Sequence, residues 1–316
     1  MREIAPDYYN DFHCIADKCR HSCCVGWEID VDEESLARYA TLSGPLAEEL
    51  RGFIDRDDDN CAHFRLLEGD RCPFLNEQGL CRMILEFGED VLCQICADHP
   101  RFRNFFADSE EIGLGMCCEA AVRLILTWPE PVDLELIDDD GFDDPESEEE
   151  QELLDLRDQL ISAVQSRMHP VSERVRKLIE SAGIPSAPLN YEDWAEFLLT
   201  LERLDDAWAD RLEELRKNAD CSEDILSSDE WELAFEQLMV YFLYRHIPAA
   251  LTDGDAIGRM VCCTLMWALV RRLCAVHYAI HGSLDMEDMV QLCRMCSSEI
   301  EYSDVNMDEI LARLNI

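Results

Sequence analysis

Beyond residue 150 apolar side chains recur every three to four positions, and the period scarcely breaks until the chain ends. Leu153, Leu156, Leu160, Ile161 and Val164 share one helical face; so do Trp194, Phe197, Leu198 and Leu201, then Leu204, Trp208, Leu212 and Leu215. Residues 231–246 and 257–281 are apolar on nearly every side and read as the buried helices. Residues 286–299 and 307–314 finish the series. Gly and Pro fall mainly between these stretches, no strand alternation competes, and no internal repeat occurs. The pattern predicts an α-helical bundle of roughly six helices over residues 151–316.

The first part of the chain is patterned differently. Residues 27–32 alternate apolar and polar, as in a short half-buried strand, and Asp32 is placed to cap a helix over residues 33–42. Gly44-Pro45 breaks the chain, and Pro45 suits the first turn of another helix, to about Ile54. Residues 76–79 form a turn-rich connection that predicts a hairpin-like excursion, followed by short helices over 82–88 and 119–127. Pro100 stops any helix before it, and Trp128-Pro129-Glu130-Pro131 ends the last of them. Residues 131–150, dense in Asp and Glu, read as a mobile acidic linker. The expected fold is therefore mainly α: a cysteine-rich domain with little regular strand over 1–130, the linker, and the helical domain over 151–316.

Length and charge narrow the function. At 316 residues the chain can bury full cores in two domains. Its formal net charge of −42, with Lys18, Lys177 and Lys217 the only lysines, argues against nucleic acid as a partner, because phosphate contacts need clustered cations. The same charge keeps a surface soluble or attracts cationic ligands. The longest uninterrupted apolar run, residues 260–270 between Arg259 and Arg271, is too short to span a bilayer. The opening MREIAPDYYND lacks the apolar run of a secretory signal. A soluble, cytoplasmic protein without a membrane partner is the expectation, and in that compartment clustered thiols indicate metal or redox chemistry rather than disulfides.

Cysteine is where the chemistry concentrates. Of 17 cysteines, those before residue 119 include Cys14, Cys19, Cys23 and Cys24, set among Asp17, Lys18, Arg20, His21 and Ser22 in a segment too polar for a core strand. Later turn-rich segments add Cys72, Cys81, Cys93, Cys96, Cys117 and Cys118. Thiolates converging from such segments suit an iron–sulfur cluster or zinc, since soft ligands select both. One helical turn would place Cys19 and Cys23 on the same face. Adjacent residues such as Cys23 and Cys24 normally point apart, an arrangement in which one faces a metal while the other packs or serves a second centre. Cys262, Cys263 and Cys274 lie on an apolar helix and read as small core residues; Cys293 and Cys296, interleaved with Leu292 and Met295, read the same way. His99 reads as a turn residue. The spacing Cys19-x3-Cys23-Cys24 is not that of a radical adenosylmethionine enzyme, and neither a Gly-x-Gly-x-x-Gly fingerprint nor a phosphate loop occurs.

With these residues assembled, the region over about residues 8–127 resembles the flagellin lysine-N-methylase family, FliB, within the broader zinc- or iron-chelating group named for its CxxCxxCC pattern. The resemblance is carried by Phe12-His13-Cys14-Ile15, Cys19, and Cys23-Cys24-Val25-Gly26-Trp27-Glu28-Ile29-Asp30-Val31-Asp32. Further on it rests on Cys72-Pro73-Phe74-Leu75, Gly79-Leu80-Cys81, Gly88-Glu89, Cys96 with His99-Pro100-Arg101, and Leu114-Gly115-Met116-Cys117. Cys93 stands where the family pattern has a small polar residue, and Cys118 where it has Pro. The resemblance implies methyl transfer from S-adenosylmethionine to lysine amines of flagellin, in a protein that carries an iron–sulfur cluster, a 4Fe-4S cluster by expectation with zinc as the alternative. The implied ligand positions are Cys14, Cys19, Cys23, Cys24, Cys72, Cys81, Cys96 and Cys117. No catalytic or cofactor-pocket residue is assigned from the sequence.

Two other functions stay open on the residues alone. One is a non-catalytic zinc- or iron-binding module whose helical half docks a partner. The other is an electron carrier, for which no redox-partner motif is visible.

Overall fold

The protein is described by a computed structural model covering residues 1–141, 147–183 and 189–314. It divides into two compact units: residues 13–101, and residues 1–12 together with 102–316. The expected boundary at residues 131–150 differs from this division. The physical reason is a strand pairing that local pattern does not reveal. Arg2–Pro6 runs parallel to Ser109–Leu114, with Ile4 opposite Glu111, and antiparallel to Leu134–Asp139. With Arg101–Phe105 at the other edge they form a four-stranded sheet. Leu134–Asp139 of the stretch read as linker is thus an edge strand and Glu148 begins a helix, while residues 142–146 of that expectation lie outside the described residues. Gly113 is required in this sheet, because a Cβ there would run into the ring of Phe102.

The larger unit is mainly α, in line with its periodicity. Its helices include Glu119–Leu126, Glu148–Val164, Val171–Ser181, Tyr191–Leu198, Asp206–Lys217, Asp229–His246, Ala256–His281, Met286–Cys296 and Asp304–Leu314. The described residues thus hold more helices beyond residue 150 than the six expected, Val171–Ser181 and the short Ala250–Asp253 among the additions. Acidic composition serves these helices directly. Asp205, Asp255 and Asp285 accept hydrogen bonds from the first-turn amides of Ala207, Gly258 and Asp288, at 2.9, 2.8 and 3.0 Å. Each satisfies a donor with no partner inside the helix and faces the positive end of the helix dipole.

Ala256–His281 is long and apolar enough to cross a membrane, yet most of it is buried against neighbouring helices: Cys263, Val270 and Cys274 are fully enclosed. The core around it is continuous and takes in Tyr8, Leu114, Met116 and Ile125. Residues 102–126 therefore pack with the helical unit.

Buried ion pairs cross this core. Arg157 on Glu148–Val164 donates to Glu111 of the sheet at 2.5 Å, with both side chains almost fully enclosed. Arg174 and Arg167 both reach Glu236, at 2.6 and 2.8 Å.

The smaller unit is short of regular structure. It contains the helices Glu33–Thr41, Pro45–Gly52, Arg82–Phe87 and Gln94–Asp98 and one two-stranded ribbon, Ile54–Arg56 with Ala62–Phe64. Residues 27–32 make only an isolated bridge at Asp30, although their alternation does set burial, with Ile29 and Val31 inside. The Asp32 carboxylate accepts from the amides of both Ser35 and Gln94, each at 2.8 Å, and so caps two helices at once. The hairpin-like excursion is present: Leu75 bridges Cys81, and the Asn76 side chain accepts from the amides of Gln78 and Leu80.

Candidate metal centre

The small core of residues 13–101 is built from Ile29, Val31, Tyr39, Leu46, Leu50, Phe64, Phe74 and Met83, with Phe64 and Phe74 packed edge to face at 5.1 Å. Set into it are thiols. Cys72 and Cys93 are buried, and Cys24, Cys81 and Cys96 pack against the same cluster. Backbone pairing draws them together from distant segments: Cys72 N donates to Cys24 O at 2.8 Å, and Leu75 bridges Cys81. The helix Gln94–Asp98 begins at Cys93, and the Cys93 and Cys96 side chains hydrogen-bond to each other.

These thiols feel one another electrostatically. Burial pushes Cys72 up to about 12, and negative charge on Cys24, Cys81 or Cys93 pushes the same way. Burial likewise raises Cys81, with Cys24 and Cys93 adding to it. Cys24 goes the other way, down to about 7, because the Cys23 side chain hydrogen-bonds it, against burial, with help from Ser22 and Arg71. The bond from Cys96 lowers Cys93 and, together with burial, raises Cys96. Within one small apolar core, then, some thiols are held above the ordinary value and others below it.

The donors fit a soft metal or iron–sulfur cluster in kind: sulfur from four separate segments, enclosed by apolar side chains. As they stand, no three His, Cys, Asp or Glu side chains among the described residues form a group able to hold a metal ion. The expected cysteine set is therefore only partly gathered. Cys24, Cys72, Cys81 and Cys96 share the core, whereas Cys14 and Cys23 are exposed and Cys19 half-buried. Residues 19–24 are turns and bends rather than helix, so the shared helical face of Cys19 and Cys23 does not arise.

Cys117 belongs to the other unit, where burial pushes it up to about 12 while the Tyr302 hydroxyl bonds it. Cys93, one of the thiols that residue chemistry offered as donors, is the one in this core that the family-implied ligand set left out. Its signal was present in the spacing Cys93-x2-Cys96, which one helical turn brings together. His99 lies, as expected, in the turn that follows Gln94–Asp98 and is half-buried there; burial lowers it to about 4, and its ring lies 5.9 Å from that of Trp27.

The helical unit contains a second polar centre that the sequence did not announce. Met286–Cys296 runs into a π-helical turn, Ser297–Glu301, a feature that often marks functional positions. Glu301 there is almost completely buried, meeting the Tyr241 hydroxyl at 3.0 Å and His246 Nε2 at 2.6 Å, with Arg245 Nε 3.4 Å away. Burial works against its charge, but Arg245 and then His246 win, holding the carboxyl down at about 2. Arg245 also lies over the rings of Phe102 and Tyr302 at 4.8 and 4.7 Å. Nearby, burial lowers Arg294 against the pull of Asp205, Glu119, Cys117 and Glu299. The cysteines expected to be core residues, Cys262, Cys263, Cys274, Cys293 and Cys296, are all buried.

Residues 103–316 match the pattern of the FliB lysine N-methylase C-terminal domain. Among curated proteins the chain is 25% identical over 142 residues to a lysine-N-methylase of Salmonella choleraesuis (strain SC-B67), covering 42% of this chain and 35% of that protein. The lysine-N-methylase of Salmonella typhimurium (strain LT2) matches to the same extent. The flagellar biosynthetic protein FliU of Salmonella muenchen is 25% identical over 143 residues, which make up 84% of its length. The aligned part of the chain thus spans about a third of the curated lysine-N-methylases it matches. No solved structure matches. Because the domain match takes in well over half of its residues, the chain belongs to the FliB lysine N-methylase family.

Proposed function

We propose that the chain is a protein-lysine N-methyltransferase that moves a methyl group from S-adenosylmethionine to lysine side chains of flagellin. The match of residues 103–316 to the C-terminal domain of a lysine N-methylase carries this reading, and the flagellar name of one relative supports flagellin as the substrate. In the transfer the lysine nitrogen forms a bond to the sulfonium methyl, the carbon–sulfur bond breaks, and its electron pair stays on the sulfur of S-adenosylhomocysteine. The nitrogen attacks uncharged, so its proton passes first to a carboxylate or to solvent. Holding amine, methyl and sulfur in line supplies much of the acceleration. A net charge of −42 favours the approach of both the cationic lysine and the cationic donor.

We assign Cys24, Cys72, Cys81, Cys93 and Cys96 as the donors of an iron–sulfur cluster, with zinc as the alternative. Bound there, the group cross-links segments that little regular structure connects. The reaction is placed in the cytoplasm, where thiols stay reduced.

The test is the intact mass of flagellin coexpressed with and without this chain. Increments of one methyl group, mapped to lysines, are expected only in its presence. Unchanged flagellin beside a metal-loaded chain would favour the rival, a non-catalytic metal-binding module with a helical docking unit. The short coverage of the curated methylases is the observation on that side.

A further inference from the structure

A groove of about 450 Å³ lies within residues 13–101, lined by Gly26, Trp27, Glu28, His63, Phe64 and Asp70, with Arg65 and Leu66 completing it. That volume falls in the range of small-ligand clefts. Trp27 and Leu66 are half-buried apolar lining residues, and Trp27 Nε1 donates to Cys23 O at 2.5 Å. The charge in the groove is unbalanced. Arg65 is already committed to Asp55 at 3.1 Å and to Gly52 O at 2.8 Å, and it lies over the Phe53 ring. Two carboxylates remain. Glu28 is exposed and has the His63 ring 3.6 Å away, while no ion pair among the described residues occupies Asp70. Gly26 N bonds Asp70 O at 3.0 Å and Cys72 N bonds Cys24 O at 2.8 Å, so the groove wall and the thiol core share one piece of backbone.

We propose that this groove receives the side chain of a substrate lysine, its methylenes along Trp27 and Leu66 and its ammonium between Glu28 and Asp70. An aromatic face beside Glu28, whose partner is the His63 ring, and Asp70, which no ion pair among the described residues occupies, is suited to a cation on a flexible apolar stem. The rim residues Glu28, Arg65 and Asp70 are exposed, which suits a side chain presented by another protein's surface. A nucleoside-bearing donor would instead be largely enclosed. The proposal rests on the lysine-methylase reading and adds the place where lysine binds.

The test uses the full chain, with indole-nitrogen-labelled tryptophan assigned by W27F, titrated with a Gly-Ser-Lys-Ser-Gly peptide and with its Nε-acetyl-lysine form. The lysine peptide is expected to shift the Trp27 signal and the acetylated peptide is not. The double variant Glu28→Gln, Asp70→Asn is expected to weaken peptide binding at least tenfold and to raise KM for flagellin with kcat nearly unchanged, at wild-type metal content. Equal binding of both peptides, or a Trp27 shift caused by S-adenosylmethionine and not by the peptide, would overturn the assignment. If the wild type methylates flagellin and the double variant keeps its KM, the groove proposal falls and the enzyme stands. If the lysine peptide shifts Trp27 but flagellin is never methylated, the groove stands and the enzyme reading falls.

Discussion

The two units solve the problem of stability by different means. The helical unit buries long apolar faces around Ala256–His281, so its cysteines are one kind of filler among many. The unit at 13–101 has a ribbon of three-residue strands and helices of nine residues or fewer around a small core into which five thiols are set. Domains with so little to bury usually need a cross-link, a metal or a partner. The same residue type therefore plays two roles: replaceable packing in one unit, and the candidate tie that closes the other.

The largest effect should come from cutting that tie. Cys96→Ser, or anaerobic treatment with a strong chelator, is expected to release metal and leave residues 13–101 without slow-exchanging amides, because metal affinity in such sites is folding free energy. Amides within Asp229–His246 and Ala256–His281 should stay protected. Hydrogen exchange read by mass spectrometry, beside the metal content, separates the outcomes. Loss of protection in both units together would show that the contrast drawn here is wrong.

Next in size is the buried charge centre of the helical unit. Glu301→Gln leaves Arg245 buried with a weaker partner and is expected to destabilise that unit by about 3 kcal/mol. The pH dependence has a definite sign. The folded state holds Glu301 at about 2 against an ordinary 4.5, so its contribution is complete above 4.5 and is lost as pH falls towards 2. Burial also lowers His246 below 6.5, so the unfolded chain takes up that proton first and stability falls in the same direction. Acid denaturation of the wild type should thus be steeper below about pH 4.5 than that of Glu301→Gln. Parallel acid limbs would refute the assignment of that charge.

What the sequence made visible follows from the range of each interaction. The helix start at Asp32 depends on a side chain and an amide a few residues away, and such a signal is local. The helical periodicity and the burial of Ile29 and Val31 were legible for the same reason. The sheet was not. Leu134–Asp139 reads as solvated acid, with Leu136 58% exposed, and becomes a strand only because Arg2–Pro6 lies beside it from the far end of the chain. That pairing also makes the helical unit discontinuous, which a reading of composition along the chain cannot express. At the thiol core Cys93 was a candidate donor on residue chemistry and on its spacing to Cys96, and only the comparison with a family pattern left it out of the ligand set. Nor could local pattern gather Tyr241, Arg245 and Glu301, since their meeting depends on the fold of the whole bundle.

The smallest expected effect is the sharpest test of the two roles for cysteine. Cys263 is fully enclosed on Ala256–His281, and its thiol contacts Phe242 O at 3.3 Å. Burial raises its pKa well above the ordinary value, so it stays a neutral thiol and behaves as a small apolar group. Replacing it by alanine removes one sulfur from a core that can relax around the gap. The expected cost is about 1 kcal/mol, read as a small shift in the denaturant midpoint with an unchanged slope. Metal content and exchange protection at residues 13–101 should be untouched. A loss of metal from Cys263→Ala equal to that from Cys96→Ser would mean that the thiol chemistry is shared by both units rather than confined to one.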